Sequence, residues 1–335
     1  MEQAQLPGQW GVLPCDKRFV LGVEIAGRGQ RVVLAEPSGR IVAEAHSIDA
    51  SAPAPVVVDT IRGLIDQACS SIQVDLSEIW RIGIAFGGPV DAARGVTLLS
   101  HRAPGFENFP LVNLLEEAVG IPSVLENDAR AAAVGEASYG AARGCADVVY
   151  VHLGAGVGGG IIVDGRLVDG ASGTAGEIGH MVVSVGGPIC SCGKPGHLEA
   201  YASAPAIVNN FRERLRTARR EVIDAWLAPG AITVGAIFER ARAGDEIARE
   251  VVTETVRVLG LAIANLITVL NPAAVIVGGP VAEVGALLMD PLGARVRQYS
   301  YPASVRRLRL STAQFRGDSA ILGAVALALR GDEVR

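Results

Sequence analysis

The sequence predicts an α/β protein of two domains, with one Cys/His-rich loop in its second half. Strand and helix patterns alternate along most of the chain, which is the signature of a sheet with helices packed on it. A strand, a glycine turn and a second strand open each half, near residue 19 and again near residue 148. The chain has 335 residues, more than one hydrophobic core usually organises.

Residues 19–25, 31–36 and 40–45 are short β-rich runs. Gly27-Arg28-Gly29 and Pro37-Ser38-Gly39 supply the turns of an antiparallel meander. Val57, Ile61, Leu64, Ile65, Ala68 and Ile72 then recur at helical spacing. Residues 80–86 form a continuous apolar strand that stops at Gly87-Gly88-Pro89. A helix over 111–119 leads to a buried strand at 121–125, which ends at Glu126-Asn127-Asp128 before a helix over 129–137. The pattern restarts with a strand at 148–153, a glycine turn at 154–160 and a returning strand at 160–163. The longest helix carries Ile247, Val251, Val256, Leu259, Ile263, Leu266 and Leu270 on one face, and a strand at 274–277 ends at Gly278-Gly279-Pro280. The halves meet near 126–146. One domain is expected at 17–126, completed by a C-terminal helix at about 318–330, and a larger one at 127–317.

Half the residues are hydrophobic and 19% are charged, a globular composition. A net charge of −5 argues against nucleic acid as a bulk electrostatic partner, and the Arg-rich stretches 212–220 and 306–309 read as solvated faces. Cys15, Cys69 and Cys145 are widely spaced, an intracellular pattern rather than a disulfide framework. No basic region followed by an apolar core marks a signal peptide. The uncharged run 258–282 is broken by Asn271-Pro272 and Gly278-Gly279-Pro280, so it reads as a helix end, a turn and a core strand rather than a membrane span. The expectation is a soluble cytoplasmic protein without a membrane partner.

The segment 177–199, EIGHMVVSVGGPICSCGKPGHLE, places His180, Cys190, Cys192 and His197 at spacings of ten, two and five residues. Imidazole and thiolate in that number suit tetrahedral Zn²⁺, and four protein ligands make the ion structural. The plain alternative is a loop with two thiols and two surface histidines. Gly154, Gly156 and Gly158 follow a strand, where successive backbone N–H groups can point at phosphate oxygens. A tight hairpin explains such a turn equally well, and Gly278-Gly279 is similarly open. Asn127-Asp128 sits where a strand meets a helix. Asp128 is either an Asp N-cap or a carboxylate at the carboxyl end of a sheet strand, able to accept a proton from a hydroxyl. His101-Arg102 precedes Pro104-Gly105-Phe106, lining a cleft or solvated.

Together these residues resemble the ROK family (repressors, open reading frames and kinases) of the actin-like ATPase, ribonuclease H-like sugar-kinase fold. The most specific part is GASGTAGEIGH followed by CSCGKPGHLE. The family pattern there ends in Cys-x-Cys-Gly-x-x-Gly-Cys-x-Glu, so His197 stands in for the last Cys. The resemblance implies a zinc-binding loop, with Asp128 as the base that activates a sugar hydroxyl. Gly88, Asn127, Glu177, His180 and Glu199 would contact the sugar, His180 using its second nitrogen on zinc. Mg-ATP would lie against Glu24, Gly27, Arg28, Gly154, Gly156, Gly158, Gly278 and Gly279. Members of the family are commonly dimers or tetramers, so a homodimer or homotetramer is expected.

The phosphate side departs from the family pattern. Asp-x-Gly-Gly-Thr is replaced by Glu24-Ile25-Ala26-Gly27-Arg28, and Gly-Thr-Gly by Gly154-Ala155-Gly156. Two hydroxyl donors are lost, each worth about 0.5–1.5 kcal/mol, which weakens ATP by roughly one to two powers of ten. Arg28 supplies a charge-assisted donor in compensation, and Glu24 reaches Mg²⁺ through water. The Asn that the family carries near His101 is also absent, which bears on the sugar. Three readings follow: a glucokinase-like hexose kinase, a sugar-binding sensor or regulator without catalysis, and a zinc-stapled fold whose site has drifted to another ligand. About 18 residues precede the first strand, too few for a three-helix DNA-binding domain, so the sensor reading is of a protein that does not bind nucleic acid.

Overall fold

The computed structural model describes residue 14 and residues 16–100, 103–218 and 232–330. Cys15, His101, Arg102 and the end of the Arg-rich stretch 212–220 lie outside the described residues. The first elements are β1 (Phe19–Ala26), β2 (Gly29–Ala35), β3 (Ile41–Ser47), α1 (Ala54–Ser71), β4 (Ile79–Phe86), β5 (Val90–Asp91) and β6 (Val96–Thr97). Next come α2 (Leu111–Val119), β7 (Ser123–Asn127), α3 (Asp128–Ser138), β8 (Val148–Leu153), β9 (Val157–Val163) and β10 (Arg166–Leu167). The rest are α4 (Glu199–Ala202), α5 (Ala204–Ala218), α6 (Val234–Arg242), α7 (Glu246–Leu270), β11 (Ala274–Gly278), α8 (Ala286–Tyr299), β12 (Arg309–Thr312) and α9 (Ser319–Arg330).

Two compact units divide these elements. The first holds the described residues up to Ala146, then Gly160–Ala175, then those from Asp318 onward. Its sheet has the order β3-β2-β1-β4-β7. The expected meander is present, since β1-β2 and β2-β3 are antiparallel, while β4 joins β1 and β7 in parallel. Alternate residues face opposite sides of a strand, and both sides here are covered. Leu21, Val23, Val32 and Leu34 pack with Ile61, Ile65 and Leu115 of α1 and α2. Val20 and Val33 pack with Ile321 and Val325 of α9. Helix α9 lies so close that a Cβ on Gly83 would come 1.8 Å from the Ala324 carbonyl oxygen, and one on Gly323 would come 1.8 Å from that of Ala131. Glycine is therefore required at both contacts.

The strand expected at 121–125 begins at Ser123 and runs to Asn127. Pro122 has no N–H to give a ladder; it contributes only its carbonyl, which accepts from Ile82 N at 2.9 Å. Strands β1, β4 and β7 end together, with Ile25 beside Phe86 and Phe86 beside Asn127.

The second unit comprises Asp147–Gly159 and the described residues of Gly176–Gly317. Strand β9 passes from one unit to the other after Gly159, within a sheet of order β10-β9-β8-β11-β12. Strand β11 is parallel to both β8 and β12. Helix α7 is long and apolar enough to cross a membrane by length and composition, but 61% of that window is buried inside the protein. Its Val251, Val256, Leu259 and Ile263 pack with Val149, Val151, Val275 and Val277. Asn271 ends the helix in the left-handed conformation (φ 45°), so the run 258–282 is a helix end, a turn and a core strand, as read. The glycine turn is shorter than the expected 154–160. Strand β9 starts at Val157, which places Gly158 in a strand rather than in the turn. The glycines beyond the turn serve packing: a Cβ on Gly159 would lie 2.7 Å from the Tyr150 carbonyl oxygen.

Candidate functional site

In the first unit the candidate residues gather at the carboxyl ends of three parallel strands, where ligands of open α/β sheets bind. Asn127 N-caps α3, its Oδ1 accepting from Ala129 N (3.0 Å) and Arg130 N (3.2 Å). Its Nδ2 donates to the Gly88 carbonyl at 3.1 Å. The cap therefore belongs to Asn127 and not to Asp128, which is the first residue of α3, and both ends of the Asn127 amide bond backbone groups. Asp128 is half-buried in the first turn of α3, and its Oδ1 accepts from Ala129 N at 2.8 Å. Its other oxygen makes no hydrogen bond among the described residues.

Glu24 sits near the end of β1 and faces Arg31, Asp128, Arg28 and Asp318. Burial pushes its carboxyl up to about 7; Arg31 and Arg28 oppose that shift, and Asp128 and Asp318 add to it. Arg31 is held between Asp318 (2.5 Å) and Glu44 (2.7 Å). Gly27 and Arg28 are exposed in the turn after β1. The pairing of one carboxylate with an exposed glycine–arginine turn fits a cation-bound phosphate.

Arg130, two residues after Asp128, is buried with all its donors used. It donates to Glu126 (2.7 and 3.1 Å), to the carbonyls of Val168 (2.6 Å) and Ala175 (2.8 Å), and to Asp169. This fork holds the chain from 168 to 175, the approach to Glu177. Sequence reading did not single it out, because Glu126 lies near the end of a strand and Arg130 in the following helix, so no one periodicity links them.

In the second unit, Gly278 pairs with His152, which sets the ends of β8 and β11 side by side. Gly154 and Gly156 form the turn after β8, and Gly279 takes φ +86° after β11. Gly154 is further fixed by its carbonyl, which accepts from Ala204 N at 2.8 Å. The segment 177–199 folds back on itself: Val183 N donates to the Gly196 carbonyl (2.8 Å) and Leu198 N to that of Met181 (2.9 Å). These bonds collect four side chains. One ligand atom from each of His180, Cys190, Cys192 and His197 lies within 4.8 Å of the other three. Cys190 Sγ is 3.7 Å from His180 Nδ1, and Cys192 Sγ is 3.2 Å from His197 Nδ1. Zinc bonds of about 2.0–2.3 Å at tetrahedral angles require ligand separations of about 3.3–3.8 Å. The donor set of two imidazoles and two thiols suits the ion, and the two Cys–His separations lie at or near that range.

His180 directs Nδ1 at this cluster, while its Nε2 lies 3.8 Å from the exposed Glu177. Burial pushes the Cys190 thiol up, so a metal ion is needed to hold it as thiolate. Glu199 is already engaged. Its Oε1 accepts from Ser191 Oγ (2.5 Å) and Cys190 Sγ (3.4 Å), and its Oε2 from Val157 N (3.1 Å). Burial raises its pKa, but the bonds from Ser191, Val157 N and Cys190 outweigh that and hold the carboxyl below the usual range.

Known proteins bear on both units. The ROK family pattern matches residues 20–331. A glucokinase from Thermotoga maritima is 35% identical over 247 residues, 73% of this chain and 78% of the relative. The crystal structure of a ROK family glucokinase from Streptomyces griseus with glucose and AMPPNP matches with TM-score 0.77 and 32% identity, covering 93% of this chain and 100% of that one. A ROK family transcriptional regulator, a homologue of the E. coli MLC protein, matches with TM-score 0.81 and 26% identity, covering 93% of this chain and 78% of that one. The fold is the actin-like ATPase fold of the sugar kinases. On a match that spans nearly the whole described sequence, this chain belongs to the ROK family.

Proposed function

We propose that this protein is a glucokinase-like kinase that transfers the γ-phosphoryl group of ATP to a hexose or hexose derivative. The observation that carries it is Asp128, half-buried at the carboxyl end of the sheet with one oxygen held by Ala129 N. That geometry leaves the second oxygen to take a proton from a sugar hydroxyl as the hydroxyl oxygen bonds to the γ-phosphorus and the bridging oxygen leaves with ADP. Gly88, Asn127, Glu177, His180 and Glu199 are the proposed sugar contacts. Glu24, Gly27, Arg28, Gly154, Gly156, Gly278 and Gly279 are the proposed nucleotide side. Mg²⁺, when bound, screens phosphate charge, and Glu24 is the carboxylate suited to hold its water shell. The relatives named glucokinase support this reading.

Zinc held by His180, Cys190, Cys192 and His197 is part of the same proposal, as a structural ion that fixes the loop bearing Glu177 and Glu199. So are a cytoplasmic setting, a homodimer or homotetramer, and the absence of a nucleic-acid partner.

A second reading, a sugar-binding sensor or regulator, is favoured by Glu24, Arg28 and Ala155 at the phosphate side and by the match to a transcriptional regulator. The deciding assay is ADP release with Mg-ATP across hexoses and amino sugars, with Asp128→Asn alongside. Turnover that Asp128→Asn reduces at least a hundredfold is expected of the kinase. No turnover, with sugar binding still seen by calorimetry, would establish the sensor.

A further inference from the structure

Glu199 closes a chain of contacts inside the second unit. Ser191, exposed between the two cysteines, donates from Oγ to Glu199 Oε1 at 2.5 Å, a distance typical of a hydroxyl bonded to an ionised carboxylate. The other carboxylate oxygen accepts from Val157 N at 3.1 Å, at the end of the glycine turn. A Cβ on Gly156 would lie 2.7 Å from that same oxygen, so the turn is packed on the carboxylate as well as bonded to it. A carboxylate accepts about four hydrogen bonds, and Ser191 and Val157 occupy two, one on each oxygen; Cys190 adds a third only while its thiol keeps its proton.

We infer that Ser191 is a positioning residue: through Glu199 it ties the Cys/His loop to the glycine turn and sets the conformation of residues 154–157. Glu199 is then a strut as well as the proposed sugar contact, with acceptor capacity left for a hydroxyl. With Cys190 as a metal-bound thiolate, its contact to Glu199 (3.4 Å) cannot donate, and the hydroxyl of Ser191, between the two cysteines, is the donor that orients this oxygen.

The test uses the full chain with its metal content measured, and compares wild type, Ser191→Ala and Ser191→Thr. Amide hydrogen exchange at Val157 is read without added ligand. Loss of the tether in Ser191→Ala is expected to speed that exchange about tenfold, while Ser191→Thr, which keeps the hydroxyl, stays within about twofold of wild type. Unchanged exchange in Ser191→Ala would overturn the inference. So would equal acceleration in both variants, which marks a packing effect, or a fall in metal content in Ser191→Ala, which assigns the effect to the ion. The nucleotide consequence rests on the kinase reading: ADP, titrated by calorimetry, should bind Ser191→Ala several-fold more weakly. If wild type binds no ADP yet the exchange difference stands, the kinase reading fails and the strut is supported.

Discussion

Asn127 donates from its side-chain amide to the Gly88 carbonyl at 3.1 Å, which ties the helix start that carries Asp128 to the turn after β4. The same side chain caps α3 through its oxygen. Replacing it by alanine removes a cap worth about 1 kcal/mol and a hydrogen bond worth about 1 kcal/mol. Urea unfolding should show a loss of about 2 kcal/mol in Asn127→Ala, and Asn127→Ser, which can still cap, should recover about half of it.

Arg130 is expected to be the most costly single truncation in the first unit. Its guanidinium forks onto Glu126, and both side chains are buried. Removing one member of such a pair costs about 3–5 kcal/mol, because the other charge stays buried. Urea denaturation of Arg130→Met should show that loss, and Arg130→Met combined with Glu126→Met should be the more stable of the two. Additive losses would show that the two side chains are not coupled.

Glu24 gives the protein a defined pH dependence. Its folded pKa, about 7, lies above the ordinary 4.5 because burial disfavours the carboxylate. Below 4.5 both folded and unfolded states hold the proton, and the contribution is fully present. Between 4.5 and about 7 only the folded state keeps it, so stability falls as pH rises, by about 1.4 kcal/mol per pH unit across that window. Glu24→Gln should abolish this slope between pH 5 and 7, measured by urea midpoints at each pH.

Metal content is the direct check on the Cys/His cluster. Protein purified without added zinc should carry about one zinc per chain by elemental analysis. Cys192→Ser should lose most of it, and chelation of wild type should lower the thermal midpoint by several degrees, since structural zinc stabilises the folded state. Zinc-free wild-type protein with an unchanged midpoint would remove the ion from the site.

Much of this site is local, and local features were legible. The residues 148–153, the start of β1 at Phe19 and the helix over 111–119 follow from apolar runs bounded by turns, and they appear where the pattern placed them. Short edge strands such as β12, whose side chains are mostly exposed or half-buried, carry no apolar period and left no signal. The strand at Ser123–Asn127 was read two residues early because an apolar run does not show which residue first donates to the ladder.

The sequence by itself carried the alternating architecture, the resemblance to the family, the ligand types and spacing of His180, Cys190, Cys192 and His197, and the Asn127-Asp128 pair. Periodicity and ligand spacing are properties of neighbours along the chain, which suffices for the architecture and the ligand set, while the family came from the resemblance of GASGTAGEIGH and CSCGKPGHLE. Only the tertiary structure decided that Glu24 is half-buried beside Asp128 and Arg31, that Arg130 spends five donors on residues 126 and 168–175, and that Ser191 and Val157 share the Glu199 carboxylate. Desolvation and hydrogen-bond partnership depend on what the fold brings close from afar. No pattern within a window of sequence encodes that distance.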